Sequence, residues 1–97
     1  MPYKILSQDE QDEIIVSFMQ AQERDEFTHK INLERFDRML ENLPEGEWRS
    51  RVAKLRTDTA QRLEEVRSII AATEPQLPPD ERVQKAKTRL DSRQTAG

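Results

Sequence analysis

The chain has 97 residues, of which 34% are hydrophobic and 36% are charged, and it contains no cysteine. This composition allows one domain with a small apolar core, and it excludes disulfide bonds, cysteine nucleophiles and cysteine-containing zinc sites. The net charge of −3 is unevenly distributed: 12 acidic and 5 basic residues give residues 1–47 a charge of −7, whereas 7 acidic and 11 basic residues give residues 48–97 a charge of +4.

The first predicted helix has a clear start and a clear end. Ser7-Gln8-Asp9-Glu10 matches a capping box, so the helix is expected to begin at Gln8. Pro44 and Gly46 stop it after Leu43, because proline lacks the amide proton and glycine tolerates a reversal. Apolar residues between these limits fit one stripe of period near 3.5, with Gln22 and His29 in the same register: Ile15, Phe18, Leu33, Phe36, Leu40 and Leu43.

The middle of this segment permits two interpretations. Ala21 is its only apolar residue between Gln20 and Glu26, and Phe27 and Ile31 point away from the stripe if the helix is continuous. The helix breaks near residues 24–30 in one interpretation; in the other it continues for ~54 Å and carries a second apolar face for a partner. We favour continuity, because the segment has no proline or glycine.

A second helix is predicted from about Glu47 to Thr73. Its stripe has spacings of three and four: Trp48, Val52, Leu55, Thr59, Leu63, Val66, Ile70 and Thr73. Residues 75–79, which include three prolines, are expected to form a stiff extended linker. A short third helix then runs from Asp80 to about Asp91, and residues 92–97 are expected to be disordered.

These elements predict an all-α protein in two parts. Residues 1–74 form an antiparallel, coiled-coil-like helical hairpin in which the two stripes, including Leu55, face each other. Residues 75–97 form the Pro-rich linker, the short third helix and the tail.

Known catalytic and cofactor-binding patterns are missing. Two glycines cannot build a phosphate-binding loop, and a single histidine leaves carboxylates as the remaining catalytic candidates. Adjacent carboxylates such as Asp12 and Glu13 point to different sides of a helix and are predicted to be solvated. We therefore expect no enzymatic activity, catalytic residue, cofactor or metal.

The remaining prediction is a non-enzymatic protein that binds other proteins through helical faces, as a small adaptor, assembly factor, inhibitor or structural subunit. Its predicted partner-binding residues are Phe27, Ile31 and Trp48, although Trp48 can also cap the hairpin end against Leu40. We expect a homodimer in which Phe27 and Ile31 pack against their symmetry mates. A cytoplasmic location without membrane binding is expected, because the apolar runs are short and cysteine is absent.

The alternative is a nucleic-acid-associated regulator that uses the basic second helix. Arg49, Arg51, Lys54 and Arg56 place four positive charges in eight residues, as phosphate binding requires. They scatter around the helix, however, and the acidic sequence pI of about 5.2 opposes this function.

Overall fold

The computed structural model describes residues 5–96 of the chain and contains three α-helices and no strand within that range. Helix α1 spans Gln8–Asn42 and α2 spans Glu47–Thr73. One 3₁₀ turn, Glu74–Gln76, precedes α3, which spans Asp80–Ala96. The predicted all-α class is confirmed.

Helix α1 begins at the predicted cap and continues without a break. The Glu10 amide donates to Ser7 Oγ at 3.1 Å, and the Ser7 amide donates to Glu10 Oε1 at 3.3 Å. The helix then runs for 35 residues, or ~52 Å, straight through the polar segment at 24–30. The favoured interpretation, a helix that continues through residues 24–30, is confirmed.

Arg49 stabilises the connection from α1 to α2. Leu43 ends α1, and Gly46 has a φ of 150°, in a region that disfavours any side chain. The Arg49 guanidinium, on the first turn of α2, donates to the Leu43 carbonyl at 3.0 Å and to the Leu40 carbonyl. Because the last turn of α1 has no basic residue, Arg49 supplies the positive charge that this helix end favours.

Helices α1 and α2 lie side by side and run in opposite directions. Arg67 Nε pairs with Glu26 at 3.2 Å, and Arg56 pairs with Asp37. In both pairs the two residue numbers add up to 93. A residue on α1 therefore lies at the same height along the helix axes as the α2 residue whose number brings the sum to 93. Two such residues are called level below.

A series of positions along the two contacting helices is here called the seam. Its positions recur at steps of three and four, and all are buried or partly buried: Ile15, Met19, Gln22, Glu26, His29, Leu33, Phe36 and Leu40 on α1, with Arg49, Val52, Arg56, Thr59, Leu63, Val66, Ile70 and Thr73 on α2.

Besides Leu43, which caps the end of α1, three residues of the predicted stripes lie outside the seam. Phe18, Trp48 and Leu55 are exposed, and each immediately precedes a seam residue in the sequence. The seam positions are occupied instead by Met19, Arg49 and Arg56. A period near 3.5 permits a step of either three or four residues at each turn of the helix. At these three turns the sequence-based prediction took Phe18, Trp48 and Leu55, and this choice was wrong. Arginine fits such positions because its aliphatic stem covers apolar surface while its charged head reaches a partner.

Helix α3 packs mainly against the N-terminal half of α1. Ala86 of α3 and Val16 of α1 are fully buried. The prediction that the helix ends near Asp91 was wrong, since the backbone remains helical to Ala96, and Gly97 lies outside the described residues. The division of the chain at residue 74 stays a prediction.

The seam assignment predicts unequal effects of two leucine truncations. Leu63→Ala should lower the free energy of unfolding by about 2–5 kcal/mol, because the side chain is buried in the seam. Leu55→Ala should cost less than about 1 kcal/mol, because half of the side chain already meets water. Urea unfolding of dilute protein measures both, and equal losses would contradict the seam.

Truncation after Glu74 tests the division of the chain. We expect α1 and α2 to remain helical, because the seam does not include α3. The thermal midpoint should fall by several degrees, since Val16 then meets water. Circular dichroism gives both quantities, and loss of the helical signal at low temperature would show that α3 is an indispensable part of one core.

Candidate functional site

Ion pairs to two buried carboxylates hold α3 on α1. Arg82 donates to both oxygens of Asp12, from Nε at 2.9 Å and from Nη2 at 3.0 Å. Glu13 is paired with Arg89 at 3.3 Å and with Arg93 at 2.9 Å. The expectation that Asp12 and Glu13 are solvated was wrong, because α3 covers both of them.

This cluster binds the helix and does not suit acid–base chemistry. The hydrogen bond from Arg82 lowers the pKa of Asp12, and the Gln8 amide, 2.9 Å from the same carboxylate, acts in the same direction. The bond with Asp12 in turn raises the pKa of Arg82. Both groups therefore stay charged at neutral pH, whereas a general acid or base needs a pKa near the working pH.

The α1–α2 pair has two long faces, and α3 packs on one of them and reaches the edge of the other near Ile14 and Phe18. Residues that immediately follow a seam position, such as Val16, Glu23 and Glu74, border the gap beneath α3. Residues that immediately precede a seam position lie on the opposite face. The same rule applies to α1 and to α2. Both helices are right-handed and they run antiparallel, so the residues that precede seam positions on the two helices lie on the same face of the pair. We call this opposite surface the open face.

Several large apolar side chains are exposed on the open face. Their exposed fractions range from 40% to 69%: Ile14, Phe18 and Met39 on α1, and Trp48, Leu55 and Ile69 on α2. The α2 row extends for ~31 Å from Trp48 to Ile69 at ~1.5 Å per residue. Polar residues interrupt both rows at Asp25, Asn32 and Arg62.

The structure separates the three predicted partner-binding residues. Phe27, 65% exposed, and Ile31, partly buried, lie on the side of α1 that points away from α2. Trp48 lies on the open face and is 69% exposed, and the Arg51 guanidinium carbon is 5.4 Å from the centre of its ring. The exposed Leu55 was missed as a member of this surface because it was assigned to the seam, although Leu55 and Ile69 follow Trp48 at multiples of seven.

Three of the four basic residues proposed for nucleic acid binding are engaged within the chain. Arg49 binds the end of α1, Arg51 pairs with Glu47 at 2.6 Å, and Arg56 pairs with Asp37. Lys54 is exposed and has no ion pair among the described residues. These contacts reduce the positive charge that the second helix offers to phosphate.

Residues 5–96 contain no group of three histidine or acidic side chains placed to hold a metal ion. No helix in this range combines the length and the apolar character needed to cross a bilayer.

The Asp12–Arg82 pair predicts a defined response to acid. Because the folded pKa of Asp12 is lowered, its contribution to stability is complete above about pH 4 and is lost as the pH falls through the lowered value. Asp12→Asn should therefore lower the thermal midpoint at neutral pH and reduce its fall between about pH 5 and pH 2. An unchanged acid response, matching that of the exposed control Glu64→Gln, would contradict this role.

Comparison with protein-family models, with curated proteins and with solved structures gave no match. The case for a function therefore depends on the geometry of the chain itself.

Proposed function

We propose that this protein is a non-enzymatic protein-interaction module, acting as a small adaptor, assembly factor, inhibitor or structural subunit. In this proposal the coiled-coil-like hairpin of α1 and α2 is the platform, and the Pro-rich linker directs α3 to one side. The open face binds the partner. The observation that carries the proposal is the row of exposed apolar residues Trp48, Leu55 and Ile69 beside Phe18 and Met39.

The large solvent-accessible surface of the chain supports a protein-binding function. The chain has 7678 Å² of accessible surface, about a third more than the roughly 5,800 Å² expected of a compact monomer of this mass. Its radius of gyration is 19.0 Å, against about 12.5 Å for a compact domain of this length. A typical stable interface covers about 800 Å² on each partner, so the excess is large enough to accommodate one.

The shape of the open face suits a helical ligand. Two rows of side chains, one on α1 and one on α2, run side by side along the open face, and an amphipathic helix can lay its apolar stripe against such rows. Trp48 provides a large anchor near one end, and tryptophan is enriched among residues that dominate binding energy. Asp25 and Arg62 lie within the rows and would select partners with matching polar groups.

A capture experiment with matched variants tests the proposal. The tagged chain is cross-linked in extracts of its own cell, and the captured proteins are compared among wild type, Leu55→Asp and Ser68→Asp. Both substitutions add a carboxylate at an exposed position of α2, but Ser68 points away from α1 and from the open face. A partner lost only with Leu55→Asp supports the proposal, whereas equal capture by all three chains contradicts it.

Trp48 offers a second measurement, because it is the single tryptophan of the chain. Binding of a purified partner on the open face should move its emission to shorter wavelength, since the exposed ring becomes shielded from water. A tight-binding partner that leaves the emission unchanged would bind elsewhere.

A further inference from the structure

The outer edges of the open face carry charges without partners. Arg35 lies at the edge formed by α1, and Asp58 lies at the edge formed by α2. Neither has an ion-pair partner among residues 5–93, whose side chains the structure describes, and both are exposed. Their numbers add up to 93, so the two residues are level with each other on opposite edges of the same face.

We propose that the open face binds the open face of a second copy, with the α1–α2 turns of both copies at the same end. The twofold axis then runs parallel to the helices, and α1 of each copy lies over α2 of the other. This proposal rests on the proposed function and names the partner of that same surface. It produces a dimer with a four-helix centre, a common arrangement for amphipathic helices.

This symmetry matches the edges in charge. Because level residues become opposed, Arg35 of one copy meets Asp58 of the other, and the pair occurs twice. The other opposed edge positions also avoid like charges: Ala21 over Ala72, Thr28 over Glu65, and Asn42 over Arg51. Complementary charges at the rim of an interface fix orientation.

The competing symmetry is less favourable. A twofold axis perpendicular to the helices, centred on the row from Trp48 to Ile69, places Asp58 near Asp58 of the second copy and Arg35 near Arg35. Like charges directly opposite each other are destabilising. The charge pattern therefore selects the arrangement with both turns at one end.

The parallel axis also brings apolar residues together. Met39 and Leu55 are level to within one residue in each chain, so the same two residues of the second copy complete a layer of four apolar side chains. Asn32 and Arg62 form the next layer, one heptad away, and give the dimer a polar layer that specifies its alignment. This interface differs from the predicted contact through Phe27 and Ile31, which lie on another side of α1.

Light scattering on two charged variants separates the interfaces. At tens of micromolar, wild type and Phe27→Asp should show twice the chain mass of 11.4 kDa, whereas Leu55→Asp should show a single chain that remains helical. Met39→Asp provides a second test of the same layer. Dissociation by Phe27→Asp but not by Leu55→Asp or Met39→Asp would overturn the proposal. A monomeric wild type that still binds another protein through the open face would overturn it and leave the proposed function intact.

Cysteine cross-linking distinguishes the two symmetries. Because the chain has no native cysteine, only the introduced thiols can react. A mixture of Arg35→Cys and Asp58→Cys chains, treated with a short bismaleimide, should give the 35–58 product in large excess over the 35–35 and 58–58 products. A dominant 35–35 product would overturn the arrangement.

A charge-reversal cycle measures the edge contact itself. Arg35→Asp and Asp58→Arg should each weaken dimerisation about tenfold, and the double variant should recover most of that loss. Additive weakening in the double variant would show that these residues do not meet.

Discussion

The structure depends on covering one side of an unbroken 35-residue helix. Helix α2 achieves this through the seam, in which apolar residues near the middle of α2, such as Leu63 and Val66, are buried against α1. Arginines serve the same seam near the turn: Arg49 binds the carbonyl end of α1, and Arg56 pairs with Asp37. The seam also fixes the position of the proposed binding surface, because the residue before each seam position must face one side of the pair and the residue after it must face the other.

The two faces of the α1–α2 pair differ because α3 packs on one of them. Helix α3 contributes one buried alanine and three arginines to its side, and it binds α1 largely through the carboxylates Asp12 and Glu13. A partly exposed arginine that pairs with a buried carboxylate satisfies a group that would otherwise be costly to bury. The opposite face retains its large apolar side chains, and α3 reaches it only near Ile14 and Phe18, which share a hollow with Leu90 and Arg93. This asymmetry is the physical basis for assigning binding to the open face.

Local signals predicted the helices well, whereas packing required the structure. The capping box at Ser7 and the glycine at Gly46 act within a few residues, so the starts of α1 and α2 could be read from the sequence. The seam could not, because steps of three and four are equally compatible with a period of 3.5, and arginine was passed over in favour of Trp48 and Leu55. The role of Asp12 was also hidden, since its partner Arg82 lies 70 positions away in the chain.

Cysteine reactivity tests most directly whether α3 covers one face and leaves the other open. The single variants Val16→Cys and Phe18→Cys place a thiol under α3 and on the open face respectively, two residues apart on α1. In dilute solution the thiol of the Phe18→Cys variant should react with a maleimide nearly as fast as an unfolded chain does, and that of the Val16→Cys variant should react at least about tenfold more slowly. Truncation after Glu74 should remove the protection at position 16. Equal reactivity of the two variants in the full chain would contradict the account.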